Sequence, residues 1–265
     1  MSNIPFVSVV IPLYNSQDYI LNCLKSVSAQ DYKNFEVIIV DDGSTDCSVD
    51  IVKEFIKNHP EVPIQLIRQQ NSGPSKARNV GILEAHGELI AFIDSDDEWR
   101  CNKLSSIVPI FENQDIALVA SLYSIGDKEV FRNLDGSIEL ISLNKLLIKN
   151  YFVTSGTVCR AKVLRLFRFN ESQKYSEDYR LWLEISSHSY ECVLIHSSLT
   201  RMNAKPIYGS RGLSSKLYEM EKGELTNFLY LFKINKISIF QFSKAVFFSV
   251  VKYCIRIINV IIRYQ

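Results

Sequence analysis

This sequence predicts an α/β fold: an open, mainly parallel sheet flanked by helices, with a C-terminal helical extension. Three observations carry that expectation. Short runs of β-branched and other apolar residues alternate with stretches of helical spacing over the first 125 residues. The apolar runs are near-continuous rather than alternating, as suits strands covered on both faces. The connections between them are short, which fits right-handed β–α–β crossovers.

The elements follow in order. Phe6–Leu13, FVSVVIPL, reads as the first buried strand. Asp18–Ala29 reads as a helix, with Ile20, Leu21, Leu24 and Val27 on one face and Asn15 or Ser16 as cap. Glu36–Val40 is the second strand. Thr45–Asn58 is the next helix, with Val49, Val52, Phe55 and Ile56 inward. Ile64–Arg68 is a strand, Ser75–Ala85 a helix and Leu89–Ile93 a strand. A helix near Asn102–Glu112 and a strand near Ile116–Tyr123 complete the series. Beyond Gly126 the pattern loosens. Val130–Ile141 reads as loop and short strand, Phe152–Val158 as a strand and Glu177–Ser187 as a helix. Asn203–Ser215, rich in Gly, Ser and basic residues, reads as a mobile loop.

The 265 residues are 47% hydrophobic and 22% charged, enough for one large α/β domain with a smaller attachment. A net charge of +1 gives no general reason to bind nucleic acid. The start, MSNIPFVSVVIP, lacks the pattern of a secretory signal, so the catalytic part is expected in the cytoplasm. The six cysteines show neither CxxC spacing nor a nearby zinc-type histidine, and read as reduced, mostly buried thiols.

The chemistry stands at the strand ends. The second strand runs into Asp41-Asp42-Gly43-Ser44-Thr45-Asp46, and the fourth into Asp94-Ser95-Asp96-Asp97. In an open α/β sheet, ligands bind beyond the carboxyl ends of the strands. A turn and helix cap accounts for Ser44 to Asp46. It does not account for three carboxylates in four residues, which repel unless solvated or bridged by a cation. A hard divalent ion, Mn²⁺ or Mg²⁺, would bridge them and share oxygens with a diphosphate.

Four motifs in order, VSVVIPLYN (Val7–Asn15), VDDGSTD (Val40–Asp46), SGPSKARNVGI (Ser72–Ile82) and IDSDD (Ile93–Asp97), resemble family 2 of the glycosyltransferases, with its Rossmann-like A-type fold. The resemblance is strong over residues 5–125 and weaker over 150–200. It implies a UDP-sugar donor and a divalent metal. It implies that Pro12 and Tyr14 line the base pocket, that Asp42 hydrogen-bonds the uracil, and that Lys76 and Arg78 approach the ribose and diphosphate. It places Asp94 on the ribose or sugar side and Asp96 on the metal, with Asp94 also near the ion. Ser176-Glu177-Asp178-Tyr179-Arg180-Leu181-Trp182 resembles the family's Glu-Asp-x-x-x-Trp segment. That makes Asp178 the expected general base, with Glu177 next, and puts Trp182 on the acceptor side. Thr154 and Ser155 fall in a small-residue stretch like the family's acceptor floor. Many relatives carry Arg-x-His late in the domain, whereas this chain has Arg201-Met202-Asn203. Arg211, flanked by glycines nearby, is a candidate diphosphate clamp in a lid.

The expected reaction is inverting transfer of a hexose, UDP-glucose first and UDP-galactose second, to a lipid-linked saccharide. GlcNAc-diphosphoundecaprenol in O-antigen or polysaccharide synthesis is an example, and the product would be a β linkage. The alternatives are a non-catalytic sugar-nucleotide-binding protein and a sugar nucleotidyltransferase. The latter would want a Gly-rich loop after the first strand, which Pro12-Leu13-Tyr14-Asn15 does not offer. Residues 1–202 are expected to form the catalytic domain, with the nucleotide-sugar half at 1–125 and the acceptor half at 126–202. A mobile loop and helix at 203–236 and a basic amphipathic helix at 237–265 would follow. Ile237–Gln265 has four cations (Lys244, Lys252, Arg256 and Arg263) and no acid. On a helical wheel Lys252, Arg256, Asn259 and Arg263 fall in an arc of roughly 60° against a broad apolar surface. Such a helix suits a place in the headgroup region, its cations on anionic lipid at the cytoplasmic face of the inner membrane. The competing expectation is a helix packed on the enzyme or on a second subunit.

Overall fold

A computed structural model describes residues 4–131, 134–203 and 216–263. The chain runs through β1 (Val7–Leu13), α1 (Ile20–Ser28), β2 (Phe35–Asp41), α2 (Ser48–Asn58), β3 (Ile64–Arg68), α3 (Pro74–Glu84) and β4 (Leu89–Phe92). Then come β5 (Asp97–Trp99), α4 (Lys103–Ile107), β6 (Ile116–Ile125), β7 (Lys128–Glu129), β8 (Ile138–Leu140) and α5 (Leu143–Leu146). The last elements are β9 (Thr157–Arg160), α6 (Ala161–Leu166), α7 (Glu177–Ser187), β10 (Glu191–Met202), α8 (Leu217–Lys233) and α9 (Ile239–Arg263).

The strands form one mixed sheet in the order β3-β2-β1-β4-β9-β6-β10-β5, with β7 beside β6 and β8 beside β10. The first four are mutually parallel. β6 and β10 form a second parallel pair. Between the two groups lies β9, antiparallel to both β4 and β6. The near-continuous apolar runs have a direct explanation. Val7, Val9, Ile11 and Leu13 of β1 pack with α1 and α2 on one face, while Val10 packs on the other with Ala77 and Ile82 of α3. Close approach of α3 to β1 depends on Gly81: a Cβ there would lie 2.3 Å from a Val10 methyl.

Three expectations need correction. Phe152–Val158 is not one strand: Thr154–Gly156 is a 3-10 turn, and the strand begins at Thr157. Gly156 allows that turn to lie against β6, since a Cβ would sit 2.9 Å from the Ser121 carbonyl. The helix expected over Asn102–Glu112 ends at Ile107 and continues as a 3-10 turn through Val108–Glu112. Pro109, with no N–H to donate, falls where an α-helix would need one. Three of the six cysteines, Cys47, Cys101 and Cys254, are exposed. The long strand β10 did not show in the apolar pattern. Register shifts at Ile195/Ser198 and Ser198/Thr200 break its alternation.

The C-terminal helix packs on the enzyme through part of its basic stripe and leaves its apolar arc exposed. Lys252 donates to Glu224 of α8 at 2.9 Å and to the Ile148 carbonyl at 2.7 Å, and Arg256 lies 3.9 Å from Glu224. Ser249 is buried and donates to Glu221. Lys252 and Arg256 therefore pack against α8, whereas Lys244 and Asn259 are exposed. Phe240, Phe247, Val250, Val251, Ile255, Ile258 and Ile262 face outward, Phe240 at 84% and Phe247 at 63% exposure. No helix among the described residues is long and apolar enough to cross a membrane. Arg211 and residues 204–215 of the expected mobile loop lie outside the described residues.

Candidate active site

The strand order reverses at β1, whose neighbours are β2 on one side and β4 on the other. A crevice opens beyond the carboxyl ends of strands at such a point. The loops there are joined to one another. Asn15, in the left-handed region at φ 47°, donates its N–H to Ser44 and accepts from the Thr45 N–H. Gln17 N–H donates to Asp46, and the Ser16 and Ser95 hydroxyls are 2.7 Å apart. These bonds fix the loop after β2 against the loop after β1; α2 itself has Cys47 at its N-cap, and of Ser44 to Asp46 only Asp46 reaches its first turn, accepting from Ser48 N–H at 3.0 Å.

On this rim Tyr14 is half exposed and Pro12 partly buried. Asp42 is nearly buried. One carboxylate oxygen accepts from Gln69 Nε2 at 2.7 Å and Ser72 N–H at 2.8 Å, and the other from Gly73 N–H at 2.8 Å. It ties the end of β2 to the turn that starts α3, and the second oxygen keeps acceptor capacity for a ligand N–H.

The acidic cluster is larger than the pair Asp94 and Asp96. Asp97 joins it, and one oxygen from each of the three lies within 4.8 Å of the others. Asp97 is fully buried and accepts from the Ser155 hydroxyl at 2.5 Å; the same Ser155 oxygen accepts from Asp94 N–H at 3.0 Å. Three carboxylates, one of them withdrawn from solvent, form an all-oxygen donor set that fits a hard divalent cation.

Arg78 links this cluster to the second half of the chain. Its guanidinium donates to Asp94 at 2.8 Å and to Glu177 at 3.1 Å, and lies over the Phe169 ring. The side chain is only 7% exposed. Its charge is committed to two carboxylates, so its position supports an organising role rather than direct phosphate contact. Lys76 is about half exposed at the rim, 3.2 Å from Glu171. Asn79, missed in the sequence, exchanges hydrogen bonds with the Phe169 backbone and donates to Glu171. All three polar residues of the KARN stretch thus bind α3 to the segment before α7. The signal was present as polar residues where an amphipathic helix would carry apolar ones.

Asp178 stands in the first turn of α7, where the helix dipole favours a carboxylate. Thr154 donates its hydroxyl to Asp178 at 3.2 Å. Ser176, just before the helix, is left-handed at φ 55°. α8, another contributor unseen in the sequence, holds this corner. Asn227 donates to the Ser176 carbonyl and accepts from Gln173, Ser176 donates to the Met220 carbonyl, and Gly223 packs so closely that a Cβ would lie 2.5 Å from the Tyr175 oxygen. Burial, then the charge of Asp178, pushes the Glu177 carboxyl up to about 7 despite Arg78.

Three expected acceptor-side residues are placed beneath the surface. Trp182 is fully buried, packed at 5.9 Å from Phe169 and 6.5 Å from Phe92, because its position on α7 faces the sheet. Ser155 is also buried and serves the carboxylates. Thr154 is buried too, and its hydroxyl meets Asp178. In place of the absent histidine, Asn203 donates to Glu98 at the edge of the site, where Met202 of β10 pairs with Asp97 of β5.

Comparison with known proteins supplies the family. A profile described as Glycosyl transferase family 2 matches residues 8–174. The chain is 29% identical over 198 residues to an uncharacterized glycosyltransferase of Haemophilus influenzae, covering 72% of this chain and 76% of that one. It is 31% identical over 209 residues to glycosyltransferase GlyA of Streptococcus pneumoniae, covering 73% of this chain but 30% of the relative. It is 35% identical over 184 residues to the minor teichoic acid biosynthesis protein GgaA of Bacillus subtilis, covering 64% and 41%. The last two matches thus span less than half the length of those relatives. Among solved structures, S. aureus TarS 1-349 in complex with UDP-GlcNAc superposes with a TM-score of 0.70 at 20% identity, over 91% of this chain and 70% of that one. The mannosyltransferase PcManGT of Pyrobaculum calidifontis, with GDP-Man and Mn2+, also gives 0.70 at 20% identity, over 88% and 65%. At these identities the likeness shows the shared fold.

Proposed function

The chain belongs to glycosyl transferase family 2, and we propose that it is an inverting hexosyltransferase acting from a UDP-sugar on a lipid-linked saccharide. It is an enzyme that uses a nucleotide sugar. The observation that carries the finer reading is the joining of two carboxylate groups across the crevice. Asp94, Asp96 and Asp97 stand on one side and Asp178 on the other, linked through Arg78, Glu177, Thr154 and Ser155. The relatives' printed names support a place in cell-surface polysaccharide synthesis, and the UDP-GlcNAc complex supports a UDP donor.

In this reading Tyr14 and Pro12 receive the base, Asp42 accepts its N–H, and Lys76 turns from Glu171 to the diphosphate. Asp94, Asp96 and Asp97 would hold a divalent cation, Mn²⁺ or Mg²⁺, which when bound neutralises charge on the departing diphosphate. Asp178 takes the proton of the acceptor hydroxyl as its oxygen bonds to C1 of the sugar. The C1–O bond to the diphosphate breaks on the opposite face, its electron pair leaving with UDP, so an α-linked donor gives a β-glycoside. Glucose is placed first and galactose second among donors, with an acceptor such as GlcNAc-diphosphoundecaprenol. The outward apolar face of α9 supports a peripheral place at the cytoplasmic face of the inner membrane, where such an acceptor presents its sugar. Incubation with a panel of UDP-hexoses and synthetic lipid diphosphate saccharides, read by mass spectrometry and by the anomeric coupling of the product, tests it. A β-linked product supports the reading; an α-linked product, or no transfer from any member of the panel, overturns it.

A further inference from the structure

Lys103, the first residue of α4, has no solvent-exposed surface and is among the largest fully buried side chains. Its ammonium donates to the Gly156 carbonyl at 3.0 Å, the Ser121 hydroxyl at 3.1 Å and the Thr200 hydroxyl at 3.4 Å, and lies 5.2 Å from the centre of the Trp99 ring. Three donors thus meet three acceptors from three elements: the 154–156 turn, β6 and β10. Burying an ammonium is costly unless it is fully hydrogen-bonded. Burial pushes Lys103 down to about 7. An apolar residue of similar length would fill this space without the desolvation cost, so the charge calls for another explanation.

The explanation lies in what the anchored turn carries. The Ser155 carbonyl is held from below by Trp99 Nε1 at 2.7 Å and by the Thr200 hydroxyl at 3.3 Å. Above, the Ser155 hydroxyl donates to Asp97 and accepts from Asp94 N–H, while Thr154 donates to Asp178. Two consecutive side chains therefore orient both the cation-side carboxylates and the base, and the carbonyls that fix their backbone point into the pocket of Lys103, Trp99 and Thr200. We propose, resting on the glycosyltransferase reading above, that Lys103 is a positioning residue: by holding the 154–156 turn it sets the separation between the cation-binding carboxylates and Asp178. It touches neither substrate nor cation.

The test uses the full chain with Lys103→Met, which keeps most of the stem, and Thr200→Val, which removes one hydroxyl at constant shape. UDP affinity and stoichiometry are measured calorimetrically in EDTA, Mn²⁺ affinity by electron paramagnetic resonance with UDP present, and turnover separately. The expected result for Lys103→Met is near-stoichiometric UDP binding of unchanged affinity, with Mn²⁺ affinity and kcat each reduced by about tenfold or more, as for loss of a residue that orients ligands. Thr200→Val shows the same pattern to a smaller extent, and carries the test if the Lys103 variant does not fold. Wild-type Mn²⁺ affinity in the folded variants, or a fall in UDP stoichiometry alone, overturns the proposal. A wild-type chain that binds Mn²⁺ and UDP but transfers no sugar sinks the reaction assignment, while the Mn²⁺ comparison still decides the role of Lys103.

Discussion

Arg78 sits between two carboxylates, 2.8 Å from Asp94 and 3.1 Å from Glu177, and this geometry separates the roles of neighbouring acids. Glu177 is engaged and buried, whereas Asp178 is partly exposed and oriented by Thr154. Asp178→Asn keeps the shape and can still accept from Thr154. Turnover should fall by about 10²–10⁴-fold with UDP affinity unchanged. A variant with wild-type turnover would move the base to another group. Glu177 should show itself in stability instead. Burial and the neighbouring Asp178 charge raise its carboxyl from the ordinary value of 4.5 to about 7 in the folded state. Between those values the folded state holds a proton that the unfolded state has lost. This contribution to stability is complete below about 4.5 and lost as pH rises through 7. Urea midpoints at pH 5 and pH 8 should therefore diverge more in the wild type than in Glu177→Gln. Equal divergence in both would assign the pH dependence elsewhere.

At the scale of the element, α9 departs most from its sequence reading. The wheel predicts a narrow basic stripe on a broad apolar surface, with the cations on anionic lipid or, in the competing expectation, the helix packed on the enzyme or a second subunit. The acids that decide the matter, Glu221 and Glu224, lie on α8. They draw Ser249, Lys252 and Arg256 inward and leave the phenylalanines and isoleucines outside. Each large apolar side chain moved fully from water into an apolar environment contributes about 1.5–3 kcal/mol. Binding through this face needs no anionic lipid. Full-length protein should therefore sediment with neutral phosphatidylcholine vesicles nearly as well as with anionic ones, with little effect of salt. Sedimentation confined to anionic vesicles and abolished by salt would instead return the role to the cations.

At the scale of the whole molecule, α9 and the active site are mechanically connected. α9 packs on α8 through Glu221, Glu224 and the stacked pair Phe232 and Phe242, 5.2 Å apart. α8 holds Ser176 through Asn227 and Met220, and Ser176 opens the helix that carries Asp178. On this ground we propose that the catalytic unit extends beyond residue 202. A chain ending before Ile237 should melt at lower temperature and lose turnover even with a water-soluble acceptor, because two carboxylates on α8 lose their partners. Unchanged melting and full turnover on the soluble acceptor would make α9 an independent appendage.

The sequence by itself determined most local elements of the first 125 residues, though not β5 or the 3-10 turn after α4, together with the acidic loops at the strand ends and the family. Those features are written in short windows. A strand covered on both faces must be apolar throughout, and a loop at a strand end keeps its carboxylates in adjacent positions. Distant pairing was not legible. The antiparallel insertion of β9 depends on distant residues, Ala91 with Val158 on one side and Ala120 with Thr157 on the other. The commitment of Arg78 to Asp94 and Glu177, the burial of Trp182, the Lys103 anchor and the inward turn of Lys252 and Arg256 all depend on groups that only folding brings together. Periodicity states which faces of an element differ. Tertiary structure decides which face is covered, because that depends on the charge and shape of a neighbour elsewhere in the chain.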